Sequence, residues 1–257
     1  MKLTLINYVL KAAGRDKLFL SMFIGVILAV ALSFFMSSAA VTEKAQFSLV
    51  YMAGSLRLLA IAGLSLFIVF FIRRSHEARD VEYLLTRPMS RVNFILSHGA
   101  AFSLLAFIVT GLLTLCVTGF AFRYNQISMG MFLWLAGVGG ELLITANVAF
   151  FFAMVLSSPV SASMATLGFY VLARLMGQLL AIVSESFTMF PGSDLLVHIL
   201  QAVSMVIPRF DVMTQTSWLL YDVTNVLKDY IFIVIQSLFF LGMIWVATMI
   251  DFVKRQF

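Results

Sequence analysis

The sequence contains few cysteines and few charged side chains. Its single cysteine, Cys116, excludes an intrachain disulfide and any metal site built from cysteines. Only 11% of the 257 residues are Asp, Glu, Lys or Arg, whereas soluble domains contain about 25%. Because 62% of the residues are hydrophobic, this composition predicts an integral membrane protein.

The residue patterns of common catalytic and metal sites are also absent. There is no Walker A glycine-lysine loop, Rossmann fingerprint or nucleophile elbow. His76, His98 and His198 do not have the H-x-x-x-H spacing that would suggest metal ligands. The net charge of +5 comes from basic residues at the ends of apolar runs. We therefore expect no catalytic residue, no metal site and no nucleic-acid partner.

Six apolar runs are long enough to cross a bilayer, at about 20 residues per crossing. Their approximate limits are Leu18–Ala40, Leu49–Ile72, Val92–Phe122, Met131–Leu156, Val160–Val183 and Tyr230–Ile250. The first run could instead belong to a signal peptide, but it is longer than the usual apolar core of about 7–15 residues. The predicted fold is therefore all-α, with six transmembrane helices in one domain, residues 1–257.

Residues 1–16 precede the first run and have an amphipathic pattern. Their apolar stripe consists of Leu3, Ile6, Val9, Leu10 and Ala13. This pattern predicts an elbow helix that lies in the cytoplasmic headgroup layer. Six spans place both termini on one side, and cytoplasmic termini put 11 of the 17 Lys and Arg residues inside, as the positive-inside rule requires.

The polar connection between the second and third spans is rich in arginine. Within it, Ala78, Val81, Leu84 and Leu85 share one helical face, and Pro88 then ends the helix. This pattern predicts a short amphipathic helix in the cytoplasm, of a shape that suits docking to another protein.

The connection before the last span, residues 184–229, contains apolar pieces too short to span, broken by Pro191 and Pro208. It predicts short helices that lie at or dip into the outer leaflet. A plain extracellular loop is the alternative.

Three ionisable residues lie inside apolar runs: Arg57, Glu141 and Arg174. Each costs about 2.5–3.5 kcal/mol at mid-bilayer, so each requires an explanation. At about 1.5 Å per helical residue, Glu141 lies near the middle of the membrane and both arginines lie in its outer half. Because the connection Ser157–Pro159 is very short, we predict a Glu141–Arg174 pair, with Arg57 as the alternative partner. The pair could be structural, or it could line a transport path.

The stretch Glu82-Tyr83-Leu84-Leu85-Thr86-Arg87-Pro88-Met89-Ser90-Arg91, preceded by Glu77, resembles the cytoplasmic signature of ABC-2 type ATP-binding cassette exporter permeases. Ile207-Pro208-Arg209-Phe210-Asp211 is similar to the proline break before the last span in that family. The layout also matches from end to end: an elbow helix, six spans, a coupling helix between spans two and three, and an interrupted segment before span six.

The resemblance implies a single ABC-2 type transmembrane domain and a division of labour. Such permeases hold no cofactor of their own, because two partner ATPases in the cytoplasm bind ATP and Mg. A second permease copy, identical or different, completes the complex in a bacterial inner (plasma) membrane, and family cargoes include lipids, polysaccharides, drugs and peptides. The ATPase-docking residues implied on the coupling helix are Glu77, Asp80, Val81, Glu82, Leu84, Leu85, Arg87 and Pro88.

Two other functions remain open. A membrane scaffold or assembly subunit would have no transport cycle and no ATPase partner. A secondary transporter is expected to have inverted repeats and helices broken at mid-bilayer. The sequence contains no evident repeat, and its predicted breaks lie at the outer surface.

Overall fold

The computed structural model describes residues 3–39, 43–77, 91–186, 203, 206–221, 223 and 226–254. The described residues form helices and no strands, which confirms the all-α prediction. The helices are α1 (Leu3–Arg15), α2 (Leu18–Ala39), α3 (Lys44–Glu77), α4 (Arg91–Arg123), α5 (Met129–Val155), α6 (Pro159–Ser186), α7 (Phe210–Met213), a 3-10 helix (Thr216–Leu219) and α8 (Val226–Lys254).

Five of these helices, α3, α4, α5, α6 and α8, are long and apolar enough to cross a membrane. The bent pair of α1 and α2 brings the number to six if it crosses as one span. Helices suit these runs because a backbone in lipid must satisfy its own hydrogen bonds. The chain is therefore a multi-pass helical membrane protein, and the predicted apolar runs coincide with α2 to α6 and α8.

Helix α5 lies at the centre of the bundle. It contacts α3, α4, α6 and α8, and also α7 and the 3-10 helix. Its most apolar window is 83% buried, against 22% for α6 and 28% for α8. A helix that is apolar on all sides is stable where other elements surround it, so α5 is the helix on which a buried site can be built.

The amphipathic pattern of residues 1–16 does form a helix, α1. On its apolar stripe, Ile6, Val9 and Ala13 are buried, and the helix packs against α4 and α2. Protein therefore covers a face that we had assigned to the headgroup layer. Lys11 and Arg15 lie on the exposed side. The position of α1 relative to the bilayer stays a prediction.

The predicted coupling helix lies outside the described residues. Of the proposed docking residues, only Glu77, the last residue of α3, belongs to a described helix. The role of the whole set therefore stays a prediction. The residues outside the described part are Asp80, Val81, Glu82, Leu84, Leu85, Arg87 and Pro88.

Candidate functional site

The three intramembrane charges predicted from the sequence meet at one point inside the bundle. Glu141 lies twelve residues after the start of α5, and its side chain is completely buried. Its Oε1 lies 3.3 Å from Nη1 of Arg174 on α6. Its Oε2 lies 4.0 Å from Nε of Arg57 on α3. The carboxylate is therefore placed between two arginines, and we call this cluster the Glu141 centre.

Thr214 is the fourth member of the centre, and no sequence pattern singles it out. Its buried hydroxyl donates a hydrogen bond to Oε1 of Glu141 and accepts one from Nη1 of Arg174. Nη1 of Arg57 also donates to this hydroxyl, at 3.3 Å. One threonine thus links side chains from α3, α5 and α6. The only sequence signal near it is the break at Pro208.

Arg174 also holds the end of α7. Its Nη1 donates to the carbonyl oxygen of Phe210 at 2.7 Å, and its Nη2 donates to that of Thr214 at 3.1 Å. The last carbonyls of a helix lack partners within the helix, and a cation is favourable at that end. Arg174 therefore neutralises Glu141, donates to the Thr214 carbonyl and adds a donor at the Phe210 carbonyl, which already accepts from the amide of Thr214.

The segment that carries Thr214 runs alongside α5 instead of resting on its end. A Cβ atom at Gly130 would collide with the carbonyl oxygen of Trp218, and one at Gly137 would collide with that of Met213. These glycines are seven residues apart, or about 10 Å along the helix. The segment therefore descends beside α5 to the level of Glu141.

Thr214 lies beside the middle of α5, deeper than the outer surface to which we assigned the chain breaks, whereas the predicted break at Pro191 lies outside the described residues. Sequence periodicity could not reveal this depth, which depends on glycines in a helix elsewhere in the chain. Small residues let backbones approach closely within a membrane. Irregular backbone is tolerated at membrane depth where protein surrounds it, and Phe210, Met213 and Thr214 are each 0% exposed.

A second ion pair lies next to the centre. Nη2 of Arg209 contacts Oδ2 of Asp211 at 2.8 Å. The Asp211 carboxylate accepts hydrogen bonds from both Nε and Nη2 of Arg209. A Cβ at Gly177 on α6 would collide with the Asp211 carboxylate, and Gly177 is three residues from Arg174. Both residues of this pair belong to the Ile207–Asp211 stretch.

The Glu141 centre retains unused hydrogen-bonding capacity. Among the described residues, Nε of Arg57, Oε2 of Glu141 and Nε1 of Trp134 are buried without a hydrogen-bond partner. The guanidinium of Arg57 lies 5.9 Å from the centre of the Trp134 ring. Buried polar groups of this kind are usually satisfied by ordered water or another polar partner. With Glu141 ionised, Arg57, Arg174 and Glu141 together carry a net charge of +1, so the centre can accept a further acceptor or anionic group.

A separate polar cluster lies six residues further along α5. Nδ2 of Asn147 donates to the hydroxyl of Ser103 on α4 at 3.0 Å. Nε1 of Trp245 on α8 donates to Oδ1 of Asn147 at 2.8 Å. His98 lies on α4, with Nδ1 3.0 Å from the carbonyl oxygen of Phe94 and its ring packed among aromatic side chains. This cluster joins α4, α5 and α8 through amide, hydroxyl and indole groups.

The arrangement permits two chemical roles. Two arginines around one carboxylate can fasten α3, α5, α6 and α7 together, as a structural ion pair does. The same groups can present a polar surface to a solute that passes through the bundle.

The chain matches no protein-family model, and it matches no curated protein.

Proposed function

We propose that this chain is the transmembrane permease subunit of an ATP-driven ABC-2 type exporter. The observation that carries the proposal is the stretch Glu82–Arg91, which resembles the cytoplasmic signature of that family. The order of elements supports it: an amphipathic helix precedes the first apolar helix, and an interrupted segment precedes the last one. In this proposal a separate cytoplasmic ATPase hydrolyses ATP, and the chain couples that hydrolysis to movement of cargo out of the membrane or across it.

The proposed complex contains two permease chains and two ATPase subunits in a bacterial inner membrane. The most direct test is purification of the chain from native membranes under mild conditions. An ATPase that purifies with it in equal amount supports the proposal. Purification of a well-folded chain with no ATPase, at several salt concentrations, would contradict it.

Both termini are proposed to lie in the cytoplasm, and a labelling experiment tests this orientation. Cys116→Ala provides a cysteine-free background, in which Asp80→Cys and Asn125→Cys are prepared separately. We expect a membrane-impermeant maleimide to label position 125 in intact cells, and position 80 only after the cytoplasmic side is opened. Labelling of position 80 from outside would overturn the orientation and the docking proposal together.

Docking of the ATPase is proposed to involve the acidic residues of the coupling helix. Reversing two of them, Glu77→Lys with Glu82→Lys, should weaken binding of the ATPase and leave the helical bundle folded, because exposed charges contribute little to stability. The matched control is Glu43→Lys with Asp229→Lys, which reverses one acidic charge directly before α3 and one in the first turn of α8. An ATPase that binds both double variants as tightly as the original chain would show that docking occurs elsewhere.

A secondary transporter is the second candidate, and one observation favours it. The broken segment around Thr214 meets a buried carboxylate at mid-membrane depth, as discontinuous helices do in such transporters. This candidate predicts that the purified chain alone, in sealed vesicles, dissipates an imposed proton or sodium gradient, and that Glu141→Gln stops the leak. The permease proposal predicts intact gradients without the ATPase. A scaffold subunit predicts neither an ATPase partner nor ion movement.

A further inference from the structure

Two adjoining cavities lie where α1 turns into α2, against the Arg74 end of α3. The first has a volume of about 480 Å³, and the second has a volume of about 310 Å³. Asp16 and Arg74 line both of them, so the ion pair between these residues, at 2.8 Å, stands at their junction. The two cavities differ in chemistry.

The first cavity is basic. Lys11, Arg15 and Arg74 line it, and Asp16 is the acidic residue among its lining residues. The lining therefore carries a net charge of +2. The Arg74 side chain is 66% exposed and already contacts one carboxylate oxygen, which shows that its guanidinium can reach an anion in this position. Tyr8, on the exposed side of α1, adds an aromatic ring with a hydroxyl group.

The second cavity is apolar along most of its length. It follows α3 from Arg74 back through Phe70, Leu66 and Gly63 towards the middle of the helix. Phe70 and Leu66 are 47% and 37% exposed. A Cβ atom at Gly63 would meet nothing within 4 Å, so the missing side chain leaves the floor of this groove open.

From this arrangement we infer that the two cavities together bind one anionic phospholipid. Its phosphate lies among Lys11, Arg15 and Arg74, and one acyl chain lies along Gly63, Leu66 and Phe70. Arg73 and Arg74 follow directly after the apolar part of α3, so the basic cavity lies at the depth of the headgroups, and the apolar groove lies at the depth of the acyl chains. Basic pockets between membrane helices bind acidic headgroups in this way.

The net charge of +2 selects an anionic headgroup over a zwitterionic one, because the latter brings a cation of its own. The apolar groove selects a lipid over free phosphate, which would leave that groove unused. The inference uses the membrane placement of α3 and does not depend on the proposed function.

Native mass spectrometry of the full-length chain, together with any subunit that purifies with it, tests the inference. The detergent-solubilised protein is titrated with phosphatidylglycerol and, separately, with phosphatidylcholine. We expect one molecule of phosphatidylglycerol to bind to the protein more tightly than any further phosphatidylglycerol molecules. Lys11→Gln with Arg15→Gln should weaken that binding about 25-fold, since each cation contributes about fivefold. The matched control, Lys228→Gln with Lys254→Gln, removes two charges from α8 and should leave phosphatidylglycerol binding unchanged.

Two single replacements separate a lipid site from general damage. Asp16→Asn removes the competing carboxylate and should tighten phosphatidylglycerol binding, whereas a structural defect would weaken it. Gly63→Leu fills the groove and should weaken binding. The control Gly54→Leu lies at another open position of α3 and should not weaken it. Glycerol phosphate, which has no acyl chain, should be insensitive to Gly63→Leu.

Equal affinity for phosphatidylglycerol and phosphatidylcholine would overturn the inference. Unchanged binding in the Lys11 and Arg15 double variant, or weaker binding in Asp16→Asn, would overturn it as well. Glycerol phosphate that binds as tightly as the lipid would show a free phosphate site instead. None of these results depends on the presence of an ATPase.

Discussion

The charge balance of the Glu141 centre predicts an order for three single replacements. Glu141→Gln leaves Arg57 and Arg174 close together with no carboxylate between them. Arg174→Met leaves a neutral Glu141–Arg57 pair, but it removes the hydrogen bonds to the Phe210 and Thr214 carbonyls, of which the Phe210 carbonyl keeps the amide of Thr214 as a donor. Arg57→Met keeps the Glu141–Arg174 ion pair, and it keeps the hydrogen bonds from Arg174 to the carbonyl oxygens of Phe210 and Thr214. We expect the loss of stability to fall in that order.

Magnitudes follow from the distances. With an effective dielectric constant of about 20, Coulomb attraction is about 5 kcal/mol across the 3.3 Å contact and about 4 kcal/mol across the 4.0 Å contact. Arg174 repels Arg57, so the net contribution of Arg57 is smaller than this attraction. Breaking a buried pair costs about 3–5 kcal/mol, the loss expected for Glu141→Gln. We expect about 1 kcal/mol for Arg57→Met.

Thermal unfolding in detergent, followed by circular dichroism at 222 nm, measures these losses. At about 2–4 °C per kcal/mol, Glu141→Gln should lower Tm by about 6–20 °C, and Arg57→Met by about 2–4 °C. The control is Thr145→Val on the next turn of α5, whose hydroxyl bonds only to the backbone of its own helix. It should change Tm by less than Glu141→Gln does.

Combined replacements test whether the residues act as a unit. Glu141→Gln with Arg174→Met still strands Arg57, so it should recover part of the loss. Addition of Arg57→Met should recover most of it, because apolar groups then replace both arginines and a neutral amide replaces the carboxylate. If the single losses simply add, or if Arg57→Met costs as much as Glu141→Gln, the charge argument is wrong. In the proposed permease complex, a triple variant that folds, binds the ATPase and still exports would show that the centre is structural. A triple variant that loses export alone would place the centre on the cargo path.

Two further predictions concern packing and hydrogen bonding. Gly137→Ala places a methyl group against the Met213 carbonyl and should cost about 1–3 kcal/mol by overpacking. The control Gly54→Ala, in open space, should be neutral or slightly stabilising by helix propensity. Thermal melts of both variants measure the contrast, and equal Tm values would contradict the close approach. Asn147→Leu leaves the Trp245 donor unpaired at a cost of about 1–3 kcal/mol, and Trp245→Phe in the same chain should recover part of that loss. Strictly additive losses would contradict the bond between them.

Much of the bundle could be predicted because the membrane restricts the choices. Apolar runs about 20 residues long must be helical in lipid, and α2 to α6 and α8 follow the predicted runs. The contact between Glu141 and Arg174 also followed from one-dimensional information, namely two depths and a three-residue connection. In the structure Arg57 joins that contact, whereas we had treated it as an alternative partner.

Other features of the site depend on three-dimensional contacts that periodicity does not encode. Thr214 is an ordinary residue in its local sequence and gains its role from the depth of the segment that carries it. That depth depends on glycines such as Gly137, about 75 positions earlier in the chain. In the same way, the stripe on α1 predicts that one face is apolar, but it does not predict whether lipid or α4 covers that face.

The contacts between α5 and the segment that carries Met213, Thr214 and Trp218 predict a different tolerance to mutation on the two sides. Gly130 and Gly137 meet carbonyl oxygens of the segment, and every amino acid has the same carbonyl group. Side-chain changes at Met213 or Trp218 therefore leave these carbonyl oxygens in place, whereas any side chain at either glycine enters occupied space. A saturation library should show that Gly130 and Gly137 accept a single residue, whereas Met213 and Trp218, which are buried, accept other apolar residues of similar volume.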